Sequence, residues 1–125
     1  MTGVADSAAL AHRRVLVVED EYFLADDMAL ALHALGADVV GPVPTRGRAL
    51  AVLRTQPVDA AVLDINLRGE AVFPVADVLR EQGVPFVFAT GYDRSFIPAA
   101  YQDVPCWEKP FDPDDLARML GQRLS

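Results

Sequence analysis

Five polar side chains stand at the ends of short apolar runs in this sequence. They are Glu19, Asp20, Asp64, Thr90 and Lys109. Three carboxylates brought together raise one another's proton affinity unless a cation compensates their charge, and Mg²⁺ prefers a few carboxylate oxygens. One carboxylate of such a pocket could act as a nucleophile and form an aspartyl phosphate. The ammonium and the hydroxyl would then stabilise the phosphoryl oxygens.

Asp64 is the best candidate for the nucleophile because its apolar run is expected to form the central strand. Gly91 follows Thr90 directly and would leave the approach to a phosphoryl group uncrowded, so that water or a donor histidine could enter. Lys109 is the single lysine among eleven basic residues, which indicates that an ammonium is needed there. The two histidines and one cysteine form no cluster that would favour zinc.

The elements that must position these residues alternate between strands and helices. Apolar runs predict strands at 15–18, 38–41, 60–63, 86–89 and 104–107. Helical spacing and end signals predict helices at 22–35, 45–54, 74–82 and from 113, with a short or irregular helix at 95–101. This alternation predicts an α/β fold, with a five-stranded parallel sheet covered by helices on both faces. Ligand sites of such sheets lie at the carboxyl ends of the strands, where all five side chains fall.

Length, charge and cysteine content limit the function classes. The 125 residues suffice for one domain with its own core, predicted at 14–125 after a flexible tail at 1–13. A net charge of -7 with scattered arginines argues against a nucleic-acid partner. The single cysteine excludes a disulfide within the chain. No run reaches the about 20 apolar residues of a membrane span and no signal peptide is evident, so we expect a cytoplasmic protein without membrane contact.

Four motifs, in this order and at this spacing, resemble those of response-regulator receiver domains. They are Val-Val-Glu-Asp-Glu at 17–21, Leu-Asp-Ile-Asn-Leu at 63–67, Ala-Thr-Gly at 89–91 and Glu-Lys-Pro-Phe at 108–111. The resemblance extends from about Arg14 to Leu124. It implies a CheY-like, flavodoxin-like doubly wound sheet of strand order 2-1-3-4-5, working in a two-component or phosphorelay system.

The resemblance implies that Asp64 accepts a phosphoryl group from a histidine kinase or a histidine phosphotransfer protein. The reaction would require Mg²⁺, bound by Asp20, Asp64 and the backbone carbonyl of Asn66, with Glu19 assisting through water. The chain would catalyse only its own phosphorylation and dephosphorylation, and would not otherwise be an enzyme.

Three further expectations come from the same resemblance. Thr90 would be the hydroxyl that moves toward the phosphoryl group, Lys109 would contact the phosphoryl oxygens, and the Lys109–Pro110 peptide bond would be cis. Most receivers carry a Tyr or Phe three residues before the lysine, and here that position is Cys106. The usual coupling of the hydroxyl to an aromatic ring is therefore not expected in this chain.

The segment 85–92 resembles a subgroup called FAT GUY receivers, named for a Phe-Ala-Thr-Gly motif and lacking that aromatic. Its members are mostly single-domain regulators of alphaproteobacteria, several of them tied to general stress signalling. The resemblance implies a loop switch that includes Phe88, Gly91, Tyr92 and the irregular fourth helix. The alternative is that Phe86 and Phe88 are core residues and Tyr92 is a solvated loop residue.

Three functions are compatible with these residues. The first is a phosphorylation-controlled signalling protein, with the first helix docking a kinase and the face of fourth helix, fifth strand and fifth helix binding a downstream protein. The second is an unphosphorylated pseudo-receiver that serves only as an interaction module. The third is a small phosphatase of the haloacid-dehalogenase type, which usually needs an Asp where this chain has Asn66, a residue that cannot give up a proton.

Overall fold

Strands and helices alternate along the chain in the computed structural model, which describes residues 8–91 and 94–124. The helices are α1 (Tyr22–Ala34), α2 (Arg46–Thr55), α3 (Phe73–Glu81) and α4 (Pro113–Leu124). The strands are β1 (Arg14–Val18), β2 (Asp38–Val43), β3 (Ala60–Asp64), β4 (Asn66–Leu67), β5 (Glu70–Ala71), β6 (Phe86–Thr90) and β7 (Cys106–Glu108). Within the described ranges no helix combines the length and the apolar character needed to span a bilayer.

Five of the strands form one parallel sheet in the order β2-β1-β3-β6-β7. Counted without the small hairpin β4–β5, this is the order 2-1-3-4-5, so the predicted flavodoxin-like fold is confirmed. β3 lies at the centre of the sheet and all its residues are buried. The strand that ends in Asp64 is therefore the central strand, as its apolar run predicted.

The two faces of the sheet carry separate cores because successive strand residues point to opposite sides. Val15 and Val17 of β1 join a core formed with α1 and α4. Leu16 and Val18 join a second core formed with α2, α3 and the segment after β6. Burial on both faces explains why the strands read as continuous apolar runs in the sequence.

Local signals set the helix ends much as predicted. Gly36, with a φ of +92°, follows α1 and adopts the left-handed conformation that ends helices. The Thr45 hydroxyl accepts a hydrogen bond from the backbone N–H of Arg48 at 3.2 Å and caps α2. Asp112 caps α4 by accepting from the N–H of Asp114 at 2.9 Å. Thr45 was predicted inside its helix and instead precedes it.

The described residues between β6 and β7 form two short 3₁₀ turns, Arg94–Phe96 and Ala99–Tyr101, and no regular helix. This agrees with the prediction of a short or irregular fourth helix. Tyr101 is buried in the core under α3, where its hydroxyl donates to Asp77 and the Arg80 guanidinium lies 4.7 Å from its ring centre. The 3₁₀ segment is thus attached to α3 by an aromatic anchor that the helical pattern did not predict.

The N-terminal part of the chain differs from the predicted flexible tail. Leu10 is 0% exposed within the core of α1 and α4, and its N–H donates to the Leu35 carbonyl at 2.8 Å. The Arg13 guanidinium donates to the carbonyl of Leu124 at the end of α4. Residues 8–13 therefore belong to the folded domain. The sequence did not predict this, because one leucine among alanines gives no periodic pattern of large apolar residues.

We predict that Leu10→Ala lowers the free energy of unfolding by about 2–5 kcal/mol, because it leaves a cavity in a fully buried site. Leu30→Ala is the matched control, since Leu30 lies on α1 with 61% of its surface exposed. Urea denaturation of both variants and the wild type measures the effect. A loss for Leu10→Ala no larger than that of the control would contradict the packed position of residues 8–13.

Candidate functional site

The register of the parallel sheet brings the ends of four strands to one edge. Val18 pairs with Leu63, so the residues that follow each of them, Glu19 and Asp64, are neighbours. Asp64 is itself level with Ala89, one residue before Thr90. Thr90 pairs with Glu108, one residue before Lys109. Because neighbouring strands lie about 4.8 Å apart, this register gathers the polar residues that the sequence scatters over ninety positions.

Glu19, Asp20 and Asp64 form an acidic group in which one oxygen of each residue lies within 4.8 Å of the others. Glu19 and Asp64 are buried, while Asp20 is partly exposed. Backbone N–H groups hold the two buried carboxylates: Glu21 donates to Glu19 Oε2 at 3.0 Å, and Asn66 donates to Asp64 Oδ1 at 3.2 Å. The carboxylates are thus fixed by the backbone turns that follow β1 and β3.

Lys109 places its ammonium group among these carboxylates. Its Nζ lies 3.0 Å from Glu19 Oε1, 3.1 Å from Glu21 Oε1 and 3.2 Å from Asp64 Oδ2. The backbone N–H of Lys109 donates to the Thr90 carbonyl at 2.7 Å, which ties the end of β7 to the end of β6. The lysine therefore bridges the edge strand to the central strand through its side chain.

The ionisation of this group reflects burial and crowding. The pKa of Glu19 is raised to about 8, mainly by burial and in smaller part by the neighbouring Asp64, against the opposing effects of the Glu21 N–H and of Lys109. Burial also raises the pKa of Asp64 above its ordinary value, against the opposing effect of Lys109. Although burial lowers the pKa of Lys109, Asp64 and Glu19 outweigh this and raise it above its ordinary value. The ammonium stays charged, but one positive charge does not compensate all the surrounding carboxylates.

The acidic group fits a hard divalent cation by two criteria. Its donors are carboxylate oxygens, the ligands that Mg²⁺ prefers, and they are close enough together to share one ion. Burial also raises the pKa values of Glu19 and Asp64, so a cation that binds their ionised forms would offset the cost of keeping them charged. The residues present therefore suit Mg²⁺.

The remaining predicted site residues lie either buried in the sheet or at the mouth of the site. Thr90 is buried at the end of β6, and Gly91 lines the mouth of the site together with Asn66. Among the described residues, and apart from its chain neighbours, a Cβ at Gly91 would meet no heavy atom within 4 Å. The Lys109–Pro110 peptide bond is cis, as is Gly41–Pro42.

The predicted loop switch is described only in part. Phe88 is fully buried and packs its ring against those of Phe73, Phe86 and Tyr101, which is the position of a core residue. Tyr92 lies outside the described residues. Cys106 pairs with Phe88 across β6 and β7 and is half-buried beside the same core.

Two charged residues at this edge were missed by sequence reasoning. Glu21 binds Lys109, and Arg68 lies with its Nε 4.0 Å from Asp20 Oδ2. Both line a cavity of about 420 Å³ at the mouth of the site, together with Asp64 and Lys109. Glu21 follows the acidic pair directly, which was an available signal. Arg68 reaches the site through the hairpin β4–β5, which the sequence pattern did not predict.

Comparison with known proteins identifies relatives of this arrangement. No protein-family model matches the chain. SdrG from Sphingomonas melonis Fr1 is 40% identical, with 94% of this chain and 98% of that chain covered and a TM-score of 0.78. The phyllosphere-induced regulator PhyR of Methylorubrum extorquens is 29% identical over 115 residues, which are 88% of this chain and 43% of PhyR.

A third comparison concerns the fold alone. A response regulator receiver domain protein (CheY-like) from Methanospirillum hungatei JF-1 is 22% identical, with 91% of this chain and 94% of that chain covered and a TM-score of 0.76. The chain spans about half the length of the curated relatives it matches. The chain has the sheet order of a receiver domain, with the acidic group and Lys109 together at the carboxyl ends of its strands, and it matches SdrG along nearly its whole length. It belongs to the response regulator receiver domains, the CheY-like family.

Proposed function

We propose that this receiver domain accepts a phosphoryl group on Asp64 in a Mg²⁺-dependent reaction and then changes its binding to a partner protein. The observation that supports the proposal most strongly is the arrangement of Asp64, which is buried between two other carboxylates and 3.2 Å from the Lys109 ammonium. None of these charges is needed for packing, and burying them costs free energy. That cost is explained if the group performs chemistry.

Asp64 would attack the phosphorus atom of the donor with one carboxylate oxygen. The bond from phosphorus to the donor nitrogen or oxygen breaks, and the leaving group takes its electron pair and a proton from solvent. The other carboxylate oxygen stays fixed by its hydrogen bond from the backbone, so the nucleophile is held in place. This fixed orientation contributes to the rate because fewer rotational states must be frozen in the transition state.

Charge on the transferring group would be stabilised from two directions. Mg²⁺, when bound to Glu19, Asp20 and Asp64, would supply positive charge and keep these carboxylates ionised. Lys109 would contact the phosphoryl oxygens from the side of β7, after exchanging part of its contact with Glu21. The Thr90 hydroxyl at the end of β6 would donate to the same oxygens.

We also propose where the phosphoryl donor and the downstream partner protein bind. A histidine kinase or a histidine phosphotransfer protein would dock on α1, where Tyr22, Phe23 and Leu30 expose apolar surface. Tyr22 also lines the cleft beside Glu19 and Asp20. A downstream protein would bind the face formed by the 3₁₀ segment, β7 and α4. The predicted cytoplasmic location is consistent with such partners and remains a prediction.

The relatives support this function. SdrG has also been solved in a BeF₃-activated conformation, to which this chain is 39% identical with a TM-score of 0.75. A solved structure of PhyR, named as a stress response regulator, is 29% identical to this chain, with 49% of that chain covered. We therefore propose a stress-signalling context for this chain as well. Membership of the FAT GUY subgroup, including a role for Tyr92, stays a prediction.

Incubation with acetyl phosphate and Mg²⁺ should add one phosphoryl group to the wild type and none to Asp64→Asn, because the amide oxygen is a poor nucleophile. Intact-protein mass spectrometry measures the gain. Asp27→Asn is the matched control, since Asp27 is exposed on α1 and its substitution removes the same charge. The control should gain mass as the wild type does.

The outcome also separates the alternatives. No gain in the wild type, either with acetyl phosphate or with phosphorylated histidine kinases, would contradict the proposal and favour an unphosphorylated interaction module. Steady Mg²⁺-dependent hydrolysis of a standard phosphomonoester would favour a phosphatase instead.

The metal-free protein should become less stable as pH rises from about 5 to about 8. The folded-state pKa of Glu19 is raised to about 8 from an ordinary 4.5, so over this range the folded protein binds more protons than the unfolded chain, and the free energy of unfolding falls. Glu19→Gln should reduce this fall by about 1 kcal/mol or more. Urea denaturation with a metal chelator measures it.

Mg²⁺ should restore more stability at pH 8 than at pH 5, because its ligands must be deprotonated. Glu81→Gln, at the exposed end of α3, is the matched control and should keep the wild-type pH dependence. If the wild type and Glu19→Gln share one pH dependence, or if Mg²⁺ stabilises equally at both pH values, the assigned state of Glu19 is wrong.

A further inference from the structure

Arg68 has an unusual position on the hairpin that follows Asp64. β4 and β5 pair in antiparallel fashion, and the two residues between them, Arg68 and Gly69, have φ values of +53° and +91°. Two consecutive positive φ values are typical of a tight hairpin turn of type I′, in which Asn and Gly are favoured. Arginine is uncommon in this conformation, which indicates a role for its side chain.

The turn that bears Arg68 is fixed on both sides. The Asn66 side-chain oxygen accepts a hydrogen bond from the Gly69 N–H at 2.8 Å, inside the hairpin. From α2, the Arg46 guanidinium donates to the Ala71 carbonyl at 3.2 Å and pairs with Glu70 at 3.3 Å. The backbone of Arg68 is therefore held in a defined place relative to the central strand and to α2.

Arg68 directs its charge toward the metal-binding carboxylates. Its Nε lies 4.0 Å from Asp20 Oδ2, and its side chain is 73% exposed while that of Asp20 is 16% exposed. The same residue lines the mouth cavity together with Asp64 and Lys109, and it also lines a cleft of about 350 Å³ together with Arg48. A guanidinium at this place can contact a ligand that enters the mouth cavity.

The two cations of the mouth cavity are engaged to different degrees. Lys109 contacts three carboxylates at 3.0–3.2 Å, whereas the ion pair of Arg68 with Asp20 is a single contact at 4.0 Å. An exposed pair of this length is weak and is easily exchanged for another partner. Arg68 therefore has the more readily available positive charge at the mouth.

We infer that Arg68 is a donor-binding residue of this site. In the structure its guanidinium pairs with Asp20. If Asp20 instead held Mg²⁺, the guanidinium would be released and would bind the oxygens of the incoming phosphoryl group, as Lys109 would. Guanidinium groups suit this task because their paired N–H donors match phosphate oxygens. The inference rests on the proposed phosphorylation of Asp64 and adds the residue that would receive the donor.

The test compares Arg68→Ala and Arg68→Lys with Arg54→Ala. Arg54 is exposed near the end of α2 and lines a different cavity with Val58 and Val84, so its removal changes the net charge equally without touching the site. At saturating Mg²⁺, the rate of phosphorylation by acetyl phosphate should fall about five- to tenfold in Arg68→Ala. Arg68→Lys should keep about half of the rate, and Arg54→Ala should match the wild type.

Mg²⁺ affinity provides a second measurement. If Arg68 only stabilised the hairpin, its removal would weaken Mg²⁺ binding, whereas the inference predicts tighter binding. Because Arg68 competes with the metal for Asp20, Arg68→Ala should bind Mg²⁺ about two- to fivefold more tightly in isothermal titration calorimetry. Slower phosphorylation with tighter metal binding supports the inference. Weaker metal binding in Arg68→Ala would show a damaged hairpin and would overturn it, as would a phosphorylation rate equal to that of Arg54→Ala.

The two proposals fail in distinguishable ways. If the wild type gains no phosphoryl group from any donor, the proposed function fails, and the donor-binding role fails with it, whatever the metal titration shows. If the wild type and Arg54→Ala are phosphorylated normally and Arg68→Ala is equally fast, the proposed function stands and only the role of Arg68 is overturned.

Discussion

The site depends on the compensation of buried carboxylate charge by one ammonium group. Glu19 and Asp64 are buried at the carboxyl ends of adjacent strands, where the Lys109 Nζ contacts both at 3.0–3.2 Å. Removing one member of such a buried group leaves an uncompensated charge at a cost of about 3–5 kcal/mol. Lys109 directly follows the edge strand β7, so the compensation also requires β7 to be correctly paired with β6. Fold and site are therefore stabilised by the same contacts.

The remaining excess of negative charge links this arrangement to function. Burial raises the pKa values of Glu19 and Asp64, and the ammonium of Lys109 offsets only part of that rise. A divalent cation would supply the missing charge, and a phosphoryl group arriving at Asp64 would change the balance again. A site whose charge balance changes with each ligand is suited to a protein that has to report its phosphorylation state.

The part of the structure that followed from the sequence is the part governed by regular periodicity. Buried parallel strands give continuous apolar runs, and polar residues that end such runs must meet at one edge of the sheet. This reasoning predicted the placement of Asp64 and Lys109, which lie forty-five positions apart and 3.2 Å from each other. The strand order followed from the family resemblance, and the structure confirms it.

Features that depend on single contacts did not follow from the sequence. Three such features are the burial of Leu10, the packing of Tyr101 under α3 and the turn at Arg68. Each depends on a single residue that is not part of a repeating apolar pattern. Cys106 is a residue whose identity was informative but whose position was not predicted. Its replacement of the usual aromatic was visible in the sequence, but its half-buried place beside the aromatic core was defined only by the register of β6 with β7.

The most direct test of the account is to identify the phosphorylated residue chemically. Sodium borohydride reduces an acyl phosphate to the corresponding alcohol, so a phosphorylated aspartate becomes homoserine, which peptide mass spectrometry locates. After incubation with Mg²⁺ and a phosphodonor, the account predicts homoserine at position 64 and at no other aspartate. Homoserine at position 20, or a phosphoryl group that resists borohydride, would contradict it.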